Sequence, residues 1–468
     1  MKITRFLTAL LSAALLLGCL AGSVCAVSDA SVESGSHSLD AAYPLLGSEQ
    51  AVENMYAAIM YERSGDTLMY AWNPDAAVHP ASLVKIITAM LVIEACALDQ
   101  VVTVSQEALS SVPYDAVSCD LVADEVMTVQ DLLYCMMVAS ANDAAAVLAQ
   151  YCAGSQEAFV GKMNAAAAAL GCSATNFVNP HGIHHDQQYT TARDIAKILN
   201  AALELETFRN VFGTVEYTVP ATNKSEAREL KTGNYLISGE VEIYYDSRVT
   251  GGRTGVATDR TNCIASSAEQ NGLSLITVVL GSESVYEDDG YTTKKFGGFP
   301  ETSALLNMGF SGYSKTQVLY KDQTLTQCAV LNGTSDVVLG SAVDVSAVLP
   351  DGIEKDQLSY RYGNLTGFAA PIQKGDVLSS LEIWYNNICV AQTPLQAMND
   401  VTTISYAQAE GENKPSAAKT ASTVLIVIAC IFAACILAVL LVRTVNKFKH
   451  AAAKKRSRQY RRNRRRSR

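Results

Sequence analysis

The chain has 468 residues, enough for two or more domains with cores of their own, and a formal net charge of −10. That average hides a split, because 13 of the 36 Lys+Arg fall between Arg443 and Arg468, where there is no Asp or Glu, which leaves about −23 on everything before them. An acidic body with a basic tail suggests two compartments and argues against a nucleic-acid binder, and the 12 cysteines, with no CxxC pair and no dense framework, read mostly as small buried hydrophobes with free thiols.

Taken in chain order, residues 1–26 (MKITRFLTALLSAALLLGCLAGSVCA) have a basic start (Lys2, Arg5), an apolar run and the small-residue pattern Val24-Cys25-Ala26. This predicts a Sec signal peptide, absent from the mature protein. An uncleaved anchor, or lipidation at Cys19 in LLGC, is the alternative. Residues 27–45 are Ser-rich and predict a disordered leader. AAIMYERSGDTLMYAWN places apolar runs around Ser64-Gly65-Asp66 and predicts a hairpin. HPASLVKIITAMLVIEACAL predicts a long apolar helix from near Ser82, and residues 100–210 read as largely helical. Past residue 235 the texture becomes strand-like, in CIASSA and LSLITVVLGSE. From 313 to 397, short alternating runs between Gly, Asn and Asp predict a separate small β domain. Residues 398–420 are a polar linker. Ala421–Val442 carries no charge and is long enough to cross roughly 30 Å of hydrocarbon as a helix. The basic tail 443–468 follows at once, so the positive-inside rule places it in the cytoplasm and residues 27–420 outside the cell membrane. The tail's charge also suits anionic lipid headgroups.

Ser82 and Lys85 form Ser-x-x-Lys, which on a helix brings an amine within reach of a hydroxyl one turn away. Such a lysine serves as a base if burial and a neighbouring cation keep it neutral. The bland reading is a helix-capping serine with a solvated lysine. A second match, Ser416 to Lys419, lies in the polar linker, where nothing desolvates the lysine. Ser140-Ala141-Asn142 sits between two predicted helices, as a bland N-cap or as a proton relay (Ser140) with a hydrogen bond from Asn142 to a substrate amide. Two tripeptides compete for a third role, Lys231-Thr232-Gly233 and Arg253-Thr254-Gly255.

Ser82-x-x-Lys85, Ser140-x-Asn142 and a [Lys/Arg]-Thr-Gly, in that order, resemble the motifs of the penicillin-recognising serine enzymes. VNPHGIHHDQQYTTARDIAKI is similar to the NPHG…TARD segment of the D-alanyl-D-alanine carboxypeptidases, the low-molecular-mass penicillin-binding proteins. NGLSLITVVLGSE and PIQKGDVLSSLEIWYNN resemble the strand after their third motif and their C-terminal β domain, so the likeness spans residues 45–397. It implies an α+β fold: a β-lactamase/D,D-peptidase-like domain over 46–290, with an antiparallel sheet flanked by helices plus a helical lobe. A small all-β domain over 313–397 and one C-terminal transmembrane helix follow.

It also implies removal of the terminal D-alanine from peptidoglycan stem peptides through an acyl-enzyme on Ser82, with Lys85 as base and Ser140 in the proton relay. The backbone N–H groups of Ser82 and Val256 would form the oxyanion hole, and Asn142, Arg253, Thr254 and Gly255 would bind substrate. β-Lactams are the expected inhibitors, and no cofactor, metal or nucleic acid is called for. Order and strand context assign the third role to Arg253 and make Lys231 a coincidental match. Arg253 is then expected to anchor the substrate carboxylate and to help keep Lys85 neutral. The runners-up are a β-lactamase, for which no Glu-x-x-x-Asn element is suitably placed, and a non-catalytic wall-peptide-binding homologue, suggested by Arg253 itself. His181, His184, His185 and Asp186 form a metal-capable cluster, but in loop context beside Pro180.

Overall fold

A computed structural model describes residues 38–40, 44–47, 49–257, 261–288 and 293–404. The expected signal peptide, most of the leader, the linker beyond 404, the membrane span 421–442 and the basic tail lie outside these residues. The described end of the leader is ordered rather than disordered, because Leu39 of the 3-10 turn Ser38–Asp40 is buried in the core and Leu45 N donates to Leu68 O. Among the described residues no helix is long and apolar enough to cross a membrane.

The hairpin around Ser64-Gly65-Asp66 forms from β1 (Ala57–Glu62) and β2 (Thr67–Trp72). Three later strands complete the sheet: β3 (Val249–Val256), β4 (Thr261–Gln270) and β5 (Leu273–Glu283). All neighbours are antiparallel, in the order β2-β1-β5-β4-β3. β1 reads AAIMYE without alternation because both of its faces are covered. Ala57, Ile59 and Tyr61 join the core under the helical lobe, whereas Ala58 and Met60 face the core that also holds Leu305 and Leu306 of a later helix, Phe299–Phe310.

The lobe consists chiefly of α1 (Val84–Ala95), α2 (Val129–Met137), α3 (Asn142–Ala153), α4 (Gln156–Ala169) and α5 (Ala192–Ala202). Thr128, Ser155 and Thr191 cap α2, α4 and α5 by accepting from the N–H groups of Asp131, Ala158 and Asp194. The cap of α3 is Ala141, so Ser140 does no capping, and its hydroxyl is left for another use. The stretch 100–210 is less helical than its sequence suggested. Val101–Thr103 pairs with Val126–Thr128 as a short ribbon, and residues 172–191 form a loop. That loop is held by side-chain-to-backbone bonds. Asn179 Oδ1 accepts from Gly182 N, Gln188 Oε1 accepts from Val178 N, and Asp194 Oδ2 accepts from Ala174 N.

The strands from Tyr313–Leu319 to Ile388–Ala397 build a β domain of one two-stranded and one five-stranded sheet around Val318, Leu339, Leu381 and Ile383. It touches the first hairpin, where Val348 joins the core containing Met60.

The loop 172–191 meets the start of α1 at Gly182. Its φ is +88°, and a Cβ there would sit 2.0 Å from Ala81 O. Backbone cannot yield as a flexible side chain does. Gly182→Ala is therefore expected to destabilise the protein by about 2 kcal/mol or more, read by urea unfolding. A change within about 0.5 kcal/mol would mean that the loop yields freely.

Candidate functional site

Ser82 lies in the 3-10 turn Ala81–Leu83 that runs into α1. N–H groups of a first turn have no partner earlier in the helix, so that of Ser82 must find one elsewhere and can serve a ligand. The residue before it, Ala81, has φ +46°, a conformation L-residues adopt at a cost, and here it sets the entry of the turn. One turn on, Lys85 is fully buried, and its Nζ stands 3.1 Å from Ser82 Oγ. Nζ also donates to Asn142 Oδ1 (2.7 Å) and to the carbonyl of His181 (2.6 Å). Burial first, and the Arg253 cation second, hold the Lys85 amine well below the usual lysine range, against the opposing pull of Asp143. A neutral amine has two N–H groups and one lone pair. Asn142 and His181 take the two hydrogens, so the lone pair is left toward Ser82, whose hydroxyl then donates to it.

Ser140, at φ +64°, presents its Oγ 3.2 Å from Ser82 Oγ. Arg253 Nη2 donates to that Oγ, Nη1 donates to Met137 O (2.9 Å), and Nε donates to Ser82 O (3.3 Å). Burial lowers the guanidinium to about 10, so it remains a cation at neutral pH. Since Arg253 has no acceptor, Ser140 must accept from it, and its own proton is directed at Ser82 Oγ.

A cleft of about 450 Å³ opens over Ser82 and is lined on either side by Ser140 and Asn142 and by Thr254, Gly255 and Val256. Gly255 lets β3 pass so close that a Cβ would lie 2.7 Å from Ser82 N. The exposed Val256 follows on the same strand, so the two backbone N–H groups expected to form an oxyanion hole come from neighbouring segments. Two other residues are placed differently from expectation. Arg253 is 3% exposed and does not line the cleft, its fork being engaged behind Ser82 and Ser140. Asn142 uses Oδ1 on Lys85 and Nδ2 on Val117 O (2.9 Å), which leaves one Nδ2 hydrogen for the cleft.

Lys231 is the last residue of a short strand, Arg228–Lys231, with an exposed side chain paired to Glu216 at 3.1 Å. The histidines do not assemble into a ligand set. His181 is buried and held neutral, at about 3, chiefly by burial, whereas His184 packs edge-on against His79 and meets Asp186 at 3.3 Å. Among the described residues no three metal-capable side chains come together. Sequence reasoning missed the carbonyls of His181 and Met137, which act through backbone atoms that any residue carries. The adjacent Gly182 was the one available signal.

Residues 47–284 match the family model described as D-alanyl-D-alanine carboxypeptidase, peptidase S11, and residues 313–403 match that of the penicillin-binding protein 5 C-terminal domain. The D-alanyl-D-alanine carboxypeptidase DacF of Bacillus subtilis is 29% identical over 353 residues, 74% of this chain and 85% of the relative. The D-alanyl-D-alanine carboxypeptidase of Streptomyces sp. K15 is 32% identical over 255 residues, 52% of this chain and 83% of the relative. Among solved structures, penicillin-binding protein 5 from Haemophilus influenzae superposes with a TM-score of 0.62 at 26% identity, covering 76% of this chain and 100% of that one. The match over 47–284 takes in just over half of the sequence, and by it the protein belongs to the S11 family of serine D-alanyl-D-alanine carboxypeptidases.

Proposed function

We propose that this protein removes the terminal D-alanine from peptidoglycan stem peptides by two-step acyl transfer, and that penicillins acylate it at the same atom. The observation that carries the reading is the lone pair of a buried, neutral Lys85 facing Ser82 Oγ at 3.1 Å. In the first step Ser82 Oγ bonds to the carbonyl carbon between the two D-alanines while Lys85 takes its proton. The oxyanion is met by the N–H groups of Ser82 and Val256. The tetrahedral species collapses as the C–N bond breaks, and the departing D-alanine nitrogen receives a proton through Ser140, 3.2 Å from Ser82 Oγ. Water then attacks the ester and restores Ser82.

Arg253 serves here as a positioning cation rather than as the carboxylate's direct anchor. It orients Ser140 and depresses Lys85, and the Thr254 hydroxyl in the cleft is the nearer group for the substrate carboxylate. The signal-like N-terminus, the uncharged segment 421–442 and the basic tail support an exported enzyme held in the cell membrane by one C-terminal helix, with residues 27–420 outside.

Incubation of the purified protein with a fluorescent penicillin is expected to label it covalently, and Ser82→Ala is expected to abolish the label. D-Alanine release from a D-Ala-D-Ala-terminated stem peptide is the companion assay. An unlabelled wild-type protein would refute the enzyme reading in favour of a wall-peptide-binding homologue.

The two tripeptides are separated by pH dependence. Acylation requires neutral Lys85, so its rate rises as pH climbs through the lowered pKa of that amine and is lost below it. Arg253→Ala removes a depressing charge, lets that pKa rise and moves the acid limb to higher pH, with a loss of about a hundredfold or more at neutral pH. Lys231→Ala, at an exposed ion pair, is expected to stay within about twofold. Equal losses in the two variants would reverse the assignment.

A further inference from the structure

Among the residues lining the cleft, Asp115 is the one Asp, Glu, Lys or Arg. Its carboxylate is exposed and has no hydrogen bond or ion pair among the described residues. The segment that carries it is nonetheless fixed. Asn142 reaches Val117 O with both its backbone N (2.8 Å) and Nδ2 (2.9 Å), and the buried Asp143 carboxylate accepts from Cys119 N and Leu121 N just beyond. The residue that holds Lys85 thus also fixes the position of an unpaired negative charge at the cleft wall.

We propose that Asp115 is a specificity subsite for a cationic side chain, an ammonium on the stem-peptide residue preceding the D-alanines. This rests on the carboxypeptidase reading. A substrate ending in a carboxylate gains nothing from a nearby anion, so that anion suits a positive group farther along the same peptide. The contact is solvent-facing and its effect is correspondingly modest. An acyl-L-Lys-D-Ala-D-Ala peptide with a free ε-amine should show a kcat/KM about three- to fivefold above the same peptide with the amine acetylated, a ratio that shrinks with added salt. In Asp115→Asn the ratio should fall to about one, while Asp120→Asn, on the same segment but outside the cleft lining, should keep it. A ratio unchanged in Asp115→Asn overturns the subsite alone. Release from neither peptide by the wild type overturns the carboxypeptidase reading and the subsite with it.

A separate observation lies at the opposite ends of the two helices that carry the site. Cys96 is the C-cap of α1, Cys152 lies in the last turn of α3, and their Sγ atoms are 2.7 Å apart, inside ordinary contact distance. Both are half-buried thiols rather than sealed in the core, so a small exchange partner can reach them. The ammonium of Lys162 lies alongside, donating to Cys152 O at 3.4 Å.

We infer that Cys96 and Cys152 are a modification site, closed as a disulfide outside the cell, which rests on the export reading. In the exchange, one of the two attacks, as its thiolate, one sulfur of a low-molecular-mass disulfide and releases one thiol. The other, deprotonated, then displaces the second. The protein loses two electrons and two protons, and the oxidant becomes two thiols. Full-length protein treated with oxidised glutathione and alkylated without reductant should have two fewer modified cysteines than the dithiothreitol-treated sample. A linked Cys96/Cys152 peptide pair should appear by mass spectrometry and be absent from Cys96→Ser. Reduction should lower Tm by about 5–10 °C. Full alkylation of both cysteines after oxidation overturns the geometric claim. The linked pair in protein recovered from cells without reductant supports closure in place, and its absence there, with linkage by glutathione, overturns it.

Discussion

The site depends on a lysine buried without a carboxylate at bonding distance. Moving an ammonium into an apolar core is costly, and the cheaper outcome is to keep the amine neutral. The surroundings of Lys85 are built for that outcome. Its direct partners are an amide oxygen and a backbone carbonyl, both dipoles rather than full charges, and the formal charge that acts on it most strongly is the cation of Arg253. Asp143, the one acidic group pulling the other way, is engaged by the backbone N–H groups of Cys119, Leu121 and Ala144. A carboxylate beside Lys85 would make a tighter ion pair and a useless base.

That constraint accounts for the arginine. A lysine in place of Arg253 would supply one compact charge, whereas the guanidinium fork makes three bonds at once, to Ser82 O, Met137 O and Ser140 Oγ. Its charge also cannot be relieved by loss of a proton near neutrality, so the depression of Lys85 persists across the working pH range. In exchange the charge withdraws from the cleft surface. On β3 Arg253 is buried while the next residue, Thr254, is only half-buried and lines the cleft, so the neighbouring threonine rather than the cation faces it.

Much of this was legible because it is local. The Ser82/Lys85 spacing is a property of one helical turn, and the apolar runs on each side of Ser64-Gly65-Asp66 could scarcely be anything but paired strands. Ser140 was legible only as a choice between cap and relay. What settles its geometry is that Ala141 caps α3 while Ser140 adopts φ +64°, outside the helix. The loop 172–191 was illegible for a related reason. Its bonds run from Asn179, Gln188 and Asp194 to backbone N–H groups, and such partners leave no periodic trace. The direction of the Arg253 fork was likewise unreadable, since it depends on the Met137 carbonyl at the end of another helix.

The unfavourable conformations are concentrated in the same few residues. Ala81 and Ser140 hold positive φ immediately beside Ser82, and Gly182 lies against Ala81 with no room for a methyl group. Left-handed backbone at a non-glycine residue persists only where the surroundings over-determine it. Here α1, α2, α3 and β3 all converge on the two residues, with the Arg253 fork of β3 bonding the turn before α1, the last residue of α2 and the Ser140 hydroxyl between α2 and α3. Relaxing Ala81 would rotate Ser82 away from Lys85, and relaxing Ser140 would withdraw its hydroxyl from both Ser82 and Arg253. The strain and the chemistry are therefore one arrangement, stabilised by a lobe whose core is large enough to hold it: α1 alone buries Val84, Ile86, Ile87, Ala89, Met90 and Val92.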